Sequence, residues 1–220
     1  MCNRYAPPTP EGIERYWKVR PQETFVPGPI FPRSQGPFIR AAREQADFHK
    51  EVVLGQWALI PDFATSRTLS YSTNNARFEG VAQKASFKKA WLRGQRCVIP
   101  VEWFDEPCWE TGRNIWWRFH RADGQPWGLA GLWNAWFDRT QGVRVESYTM
   151  LTLNADSHPL MSRMHKPDPK LPADQQDKRS VIPIELEEVD AWLFGTVEQA
   201  AELVKLAPAD RFSAGPATSG

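Results

Sequence analysis

Hydrophobic and polar positions along the chain change over in short segments, most of them strand-like. Residues 3–9 read as extended. Thr9 caps a short helix with Pro10 in its first turn, running to about Val19. Residues 20–37 hold five prolines and two glycines with apolar residues between them, which predicts an irregular, semi-rigid connector rather than a domain linker. Two strands follow at 38–43 and 51–60 with a turn between them, and Pro61-Asp62 ends the second. Residues 71–79 are polar and loop-like. Ser86 caps a helix over FKKAWLR that stops at Gly94. RCVIPV at 96–101 predicts a short buried strand, and EWFDEPCWE at 102–110 an acidic, aromatic turn. Strands at 115–120 and 127–133 flank RADGQP and predict a hairpin. A strand at 143–153 precedes a long polar excursion over 154–179. VIPIEL returns to a strand, EEVDAWLF forms a short helix, and Thr196 with Gln199 makes a capping box for a last helix to about Lys205. This order has no alternating βαβ units. It predicts one α+β domain over 1–207, with a largely antiparallel, barrel-like β core and several short peripheral helices. Residues 208–220 read as a disordered tail.

Composition narrows the function without naming it. At 220 residues the chain can bury a sizeable core, and its 41% hydrophobic and 24% charged content is that of a soluble globular protein. With 27 Lys+Arg against 26 Asp+Glu, the net charge is +1, so an anion-binding face must be a local patch. The three cysteines (Cys2, Cys97 and Cys108) are too scattered for a disulfide framework and point to a reducing compartment. No apolar run approaches a membrane span, no signal-peptide pattern is expected, and no membrane partner is expected. The 11 Trp residues suit core packing and also the stacking of unpaired bases.

The sequence has no P-loop, GxGxxG, HExxH or GxSxG. His158 and His165 lack a matching Cys pair, so neither a zinc site nor any other cofactor is expected. Cys2 is the distinctive position. Loss of Met1 would leave a cysteine with a free α-amine, a 1,2-aminothiol. Its two nucleophiles have ordinary pKa values of about 7.7–8.0 and 8.5, so each is partly reactive near neutral pH. The amine can form a Schiff base with an aldehyde and the thiol can close a five-membered thiazolidine. Alternatively the thiol attacks an acyl carbon. Asn75, Arg77, Glu106 and His165 are further candidates. Taken singly, each has an ordinary reading as a turn, a surface charge, part of an acidic face beside Glu102 and Asp105, or a loop residue.

Taken together, the set resembles a family. Met1-Cys2-Asn3-Arg4-Tyr5 is similar to the M-C-G-R-[FY] opening of the SOS response-associated peptidase (SRAP) family. Gly55-Gln56-Trp57-Ala58-Leu59-Ile60-Pro61 resembles its W-G-L-I-P strand, and Asn75-Ala76-Arg77-Phe78-Glu79 its N-A-R-x-E. Ser86-Phe87 with Arg96-Cys97-Val98-Ile99-Pro100 matches its S-F…R-C-L-V-P run. Leu151-Thr152, Asn154-Ala155 and Met164-His165 match its T-x-x-A-N…H segment. The matches span roughly residues 1–185. Three departures accompany them. Position 3 is Asn rather than Gly. The family's G-F-Y-E-W becomes Trp103-Phe104-Asp105-Glu106-Pro107, which makes Asp105 a rival to Glu106. The segment after His165 is lengthened by KPDPKLPADQQDKRS before Val181-Ile182-Pro183.

The resemblance implies a thiol (auto)peptidase that removes Met1, binds single-stranded DNA and cross-links to abasic sites. In that reading Cys2 is the nucleophile, Glu106 shuttles protons, His165 protonates the sugar oxygen and Asn75 holds the terminus or the sugar. Arg77 contacts DNA, with Arg4, Trp57, Lys88 and Trp103 as further DNA-binding candidates. Lys84, Lys88, Lys89, Arg93 and Arg96 are expected to supply part of a phosphate-tracking patch or else a solvated helix face. The implied setting is a monomer in the bacterial cytoplasm near the nucleoid, or a nucleus. Two other readings stay open on the residues alone: an N-terminal-nucleophile hydrolase acting in trans, and a non-catalytic single-strand binder.

Overall fold

The computed structural model describes residues 2–43 and 48–217. Its first strand, β1 (Arg4–Ala6), leads into helix α1 (Pro10–Trp17). Thr9 caps that helix as expected, its hydroxyl accepting from Gly12 N at 3.1 Å. Lys18 turns left-handed and ends it a residue before the expected Val19. Five strands close into a barrel: β2 (Gln35–Ala41), β3 (Lys50–Trp57), β5 (Arg96–Val101), β8 (Trp127–Asp138) and β9 (Val143–Asn154). They run in the order β9-β3-β2-β5-β8, and β8 pairs back onto β9. The pairs are antiparallel except β3 with β9. On the edge of β9 where β3 ends, β4 (Asn75–Arg77) continues the parallel ladder, and β10 (Arg179–Val181) pairs antiparallel with the end of β9. A second sheet, β1-β6-β7-β11, uses β6 (Trp103–Cys108), β7 (Ile115–Arg121) and β11 (Phe212–Pro216).

The barrel strands are apolar on both faces because each face meets a different layer. On β5, Cys97, Ile99 and Val101 point into an interior shared with Phe38, Tyr148 and Met150, which the second sheet completes with Tyr5, Phe104 and Phe119. Val98 points outward into a layer with Ile13 and Trp17 of α1, Trp91 of α2 (Ala85–Leu92), Trp192 of α3 (Val189–Phe194) and Ala200 of α4 (Val197–Glu202). Tyr5 and Tyr148 hydrogen-bond through their hydroxyls inside the barrel, tying β1 to it. That approach needs a glycine at 36, where a Cβ would lie 2.6 Å from Ile30 Cδ1 and 2.8 Å from Tyr5 Oη.

The single α+β domain with its barrel core and short helices is as the pattern predicts, and so is the Thr196–Gln199 capping box on α4. Other expectations need correction. Helix α2 starts at Ala85 with Lys84 at its N-cap, so Ser86 lies inside the helix. The supposed turn at 102–110 contains strand β6, whose pairing with β1 and β7 overrides its weak strand propensity. The strands around RADGQP are real but form no hairpin, because β7 pairs with β6 and β11 whereas β8 lies in the barrel. The expected tail from 208 instead carries β11, paired along β7 from Phe212 opposite Arg121 to Pro216 opposite Trp117. VIPIEL contributes only the end of β10, and the polar loop at 71–79 contains β4. Part of the turn between β2 and β3, at 44–47, lies outside the described residues, as do Met1 and the last three positions of the expected tail. Among the described residues no helix is long and apolar enough to cross a membrane.

Candidate active site

The N-terminal segment meets β4, β6 and the loop after β9 at one place. In the β1–β6 ladder Arg4 stands opposite Asp105 and Ala6 opposite Trp103. Cys2 is fully buried. Its carbonyl accepts from Asn75 Nδ2 at 2.7 Å and from Asn74 Nδ2 at 3.4 Å, and its thiol donates to the Arg4 carbonyl at 3.5 Å. The barrel wall fixes both asparagines, since Asn75 pairs with Met150 of β9 and the Asn74 carbonyl accepts from Trp57 Nε1 at 2.8 Å. Asn75 Oδ1 is buried and has no hydrogen-bond partner among the described residues.

Glu106 and His165 come together although 59 positions separate them, with His165 Nε2 2.8 Å from Glu106 Oε2. His165 sits in the left-handed region at φ 64, uncommon for a residue with a side chain. Its surroundings hold it there. Its N–H donates to the Pro107 carbonyl at 2.6 Å, Met164 bridges to Cys108, and Lys178 Nζ donates to the carbonyls of Met164 (2.7 Å) and His165 (2.6 Å). The Asp156 carboxylate accepts from Lys178 N at 2.8 Å and Asp177 N at 3.1 Å. Both ends of the lengthened loop are therefore anchored, and the extra residues bulge out without moving His165 off Glu106.

Asp105 and Glu106 point to opposite faces of β6, as neighbours on a strand must. Asp105 is fully buried between Arg4 (Nε to Oδ2, 2.6 Å) and Arg118 (Nε to Oδ1, 3.0 Å). That placement separates the rival carboxylates, because only Glu106 contacts His165. Burial works against the Glu106 carboxylate, but positive charge around it, including the hydrogen-bonded His165, outweighs burial and holds its pKa below the ordinary carboxylate value. Burial, reinforced by the Glu106 charge, pushes the Cys2 thiol well above its usual range, so the resting thiol is protonated.

The DNA-binding candidates divide. Arg77 is exposed and forms an ion pair with Asp177, and Lys88 is exposed on α2. Trp57 cannot stack on a base, because its ring is fully buried in the barrel with Tyr5 edge-on at 5.0 Å. Arg96 drops out of the basic patch for the same reason. It is buried, and its Nε donates to the Trp192 carbonyl at 2.5 Å, with a further bond to the Gly195 carbonyl. Lys89 and Arg93 are exposed and share Asp62. Trp103 has one ring face covered by the Arg118 guanidinium at 3.5 Å, and Arg4 is engaged with Asp105. Sequence reasoning missed Asn74, Arg118 and Lys178, which act on Cys2, Asp105 and His165. It also missed Trp116, 40% exposed with Arg4 over its ring at 5.8 Å. The Asn74-Asn75 doublet beside the N-A-R match was the one available signal.

Similarity to known proteins follows the same lines. A protein from Bordetella bronchiseptica of known structure superposes with a TM-score of 0.87 at 31% identity, covering 99% of this chain and 100% of that one. A Bacteroides thetaiotaomicron structure shares the fold at 19% identity, with a TM-score of 0.74 over 97% of this chain and 90% of that one. The abasic site processing protein YobE of Bacillus subtilis is 25% identical over 68% of this chain and 74% of its own length. The abasic site processing protein HMCES of Xenopus tropicalis is 26% identical over 61% of this chain, a match spanning 47% of that longer protein. The sequence model of the SOS response associated peptidase (SRAP) family matches residues 1–219, and the chain belongs to that family.

Proposed function

We propose that this protein processes abasic sites in single-stranded DNA, capturing the ring-opened sugar as a covalent thiazolidine on Cys2 once Met1 has been removed. The substrate is taken from the names of the Bacillus and Xenopus relatives. The chemistry is taken from one observation: a buried carboxylate, Glu106, carries a histidine at 2.8 Å, and Asn75 holds the main chain of the buried Cys2.

The steps follow from these groups. The ring-closed sugar is a hemiacetal. Proton donation by His165 to the ring oxygen, as the anomeric hydroxyl loses its proton, opens it to an aldehyde. The Cys2 amine adds to C1′, and loss of water gives an imine, with Glu106 accepting and returning the protons of that exchange. A protonated imine is a cation beside the thiol. Opposite charge at that distance favours the thiolate and offsets the burial that keeps the resting thiol neutral. The thiolate adds to the imine carbon, the nitrogen keeps its proton, and the ring closes. Aldehyde and aminothiol thus give thiazolidine and one water, with no oxidant or reductant. Asn75 Oδ1 is available to accept from a sugar hydroxyl or the amine. Arg77 holds a backbone phosphate with its planar fork, and Trp116 offers a base a stacking face. The same Cys2, Glu106 and His165 serve a single self-cleavage that releases Met1.

The test is a denaturing gel of Met1-processed protein mixed with single-stranded DNA bearing one abasic site. Wild type should give a heat- and detergent-stable shifted band, absent with intact DNA and absent for Cys2→Ala. No band for wild type, with tight non-covalent binding retained, would leave a binder and sink the covalent mechanism.

A further inference from the structure

The lengthened loop after His165 returns to the barrel with a carboxylate set on the guanidinium assigned above to DNA. Asp177 forms an ion pair with Arg77, and its Oδ1 lies 3.1 Å from Arg179 Nη1. The two arginines differ. Arg179 is 4% exposed and also held by Glu79 at 2.6 Å and the Thr152 carbonyl at 2.8 Å, whereas Arg77 keeps 59% of its side chain in solvent. Asp177 itself sits at φ 53, a left-handed position fixed by the bond from its N–H to Asp156. Arg77, Asp177 and Arg179 line an open cavity of about 620 Å³ that also reaches Lys84 and Asn75, the residue holding Cys2.

We infer that Asp177 is a built-in stand-in for a DNA phosphodiester. In the DNA-free protein its carboxylate occupies the place on Arg77 that a backbone phosphate takes when a strand enters, and binding exchanges one anion for the other. This rests on the function proposed above. Asp177 gives Oδ2 to Arg77 and Oδ1 to Arg179, and the non-bridging oxygens of a phosphate suit a guanidinium as well as a carboxylate does. An exposed ion pair contributes little net stability, so the exchange is inexpensive for Arg77. Arg179 retains Glu79 throughout, so releasing Asp177 from Arg77 never strands a buried cation. With Asp177 in place the cavity wall holds Arg77, Lys84 and Arg179 against Glu79 and Asp177, leaving one net positive charge where there would otherwise be two. Asp177 therefore limits how tightly DNA lacking a reactive site is held, and leaves commitment to the covalent step.

The experiment compares dissociation constants for intact and abasic-analogue single-stranded oligonucleotides at one fixed salt concentration. The proteins are wild type, Asp177→Asn, Asp177→Gly, Arg77→Ala and the Arg77→Ala/Asp177→Asn double variant. Asn and Gly both tolerate left-handed backbone, so the loop keeps its path. Asp177→Asn and Asp177→Gly should each bind roughly fivefold to tenfold tighter than wild type, and the gain should vanish in the Arg77→Ala background. Affinity unchanged or weaker at wild-type melting temperature, or a gain that persists without Arg77, overturns the exchange. Cross-linking read in parallel separates the failures. A Cys2-dependent band with unchanged affinities overturns only the role of Asp177, while neither binding nor a band in any protein overturns this inference and the proposed function together.

Discussion

The two faces of strand β6 carry adjacent, fully buried carboxylates in opposite settings. On one face Asp105 lies between Arg4 and Arg118 and joins β1 to β7 across the sheet. On the other, Glu106 meets a histidine delivered by a loop held in left-handed backbone. Two guanidiniums flank the first carboxylate, and both carry permanent charge. The second has a partner that can itself gain or lose a proton. Burial alone therefore does not set the two carboxylates apart. What distinguishes the two is whether the surrounding charge is permanent or exchangeable.

Three substitutions or conditions bear on that contrast. The largest effect should come from Glu106→Gln, which keeps the shape and removes the proton shuttle. Its cross-linking rate on abasic single-stranded DNA should fall by about 10²- to 10⁴-fold, with DNA affinity near wild type. A rate within a few-fold of wild type would return the role to another group. Asp105→Asn should behave the other way round. Leaving two guanidiniums around a neutral buried amide should cost about 3 kcal/mol in urea unfolding, with a far smaller loss of rate per folded molecule. If instead stability holds and the rate collapses, the assignments of the two faces are reversed. The smallest effect is in acid. The folded pKa of Glu106 lies below its unfolded value of about 4.3, so its contribution to stability is present above that pH and is lost as pH falls through the folded pKa. Glu106→Gln should flatten that part of the acid limb of a stability–pH curve, and an unchanged limb would show that the positive charge around Glu106 adds no net stability through it.

Much of the site was legible in the chain because its motifs are local. Cys2, Asn75, Glu106 and His165 were each marked by short matches to one family, and the fold brings them together in two contacts, Asn75 to the Cys2 carbonyl and His165 to Glu106. Choosing Glu106 over Asp105 rested on spacing alone, since the segment did not read as a strand; once β6 is paired, alternation puts the two on opposite faces. The residues judged by type alone went astray. Trp57 and Arg96 look like a stacking ring and a phosphate cation, yet one fills the barrel and the other binds main-chain carbonyls of α3 and the residue after it. Asp177 meets Arg77 across 100 positions, and no local pattern connects them.

The sequence by itself determined what closes within a few residues: the Thr9 and Thr196 caps, the stop at Gly94 and the short alternating strands. Tertiary structure alone decided that 103–108 is a strand, that the segments flanking RADGQP belong to different sheets, and that Phe212–Pro216 pairs with β7. It also decided which of two neighbouring carboxylates meets His165. The physical reason is one of range. A cap or turn satisfies its hydrogen bonds with its own neighbours, so its residues announce it. A strand edge must find its donors and acceptors on a distant segment, and the faces left to bury settle which segment that is.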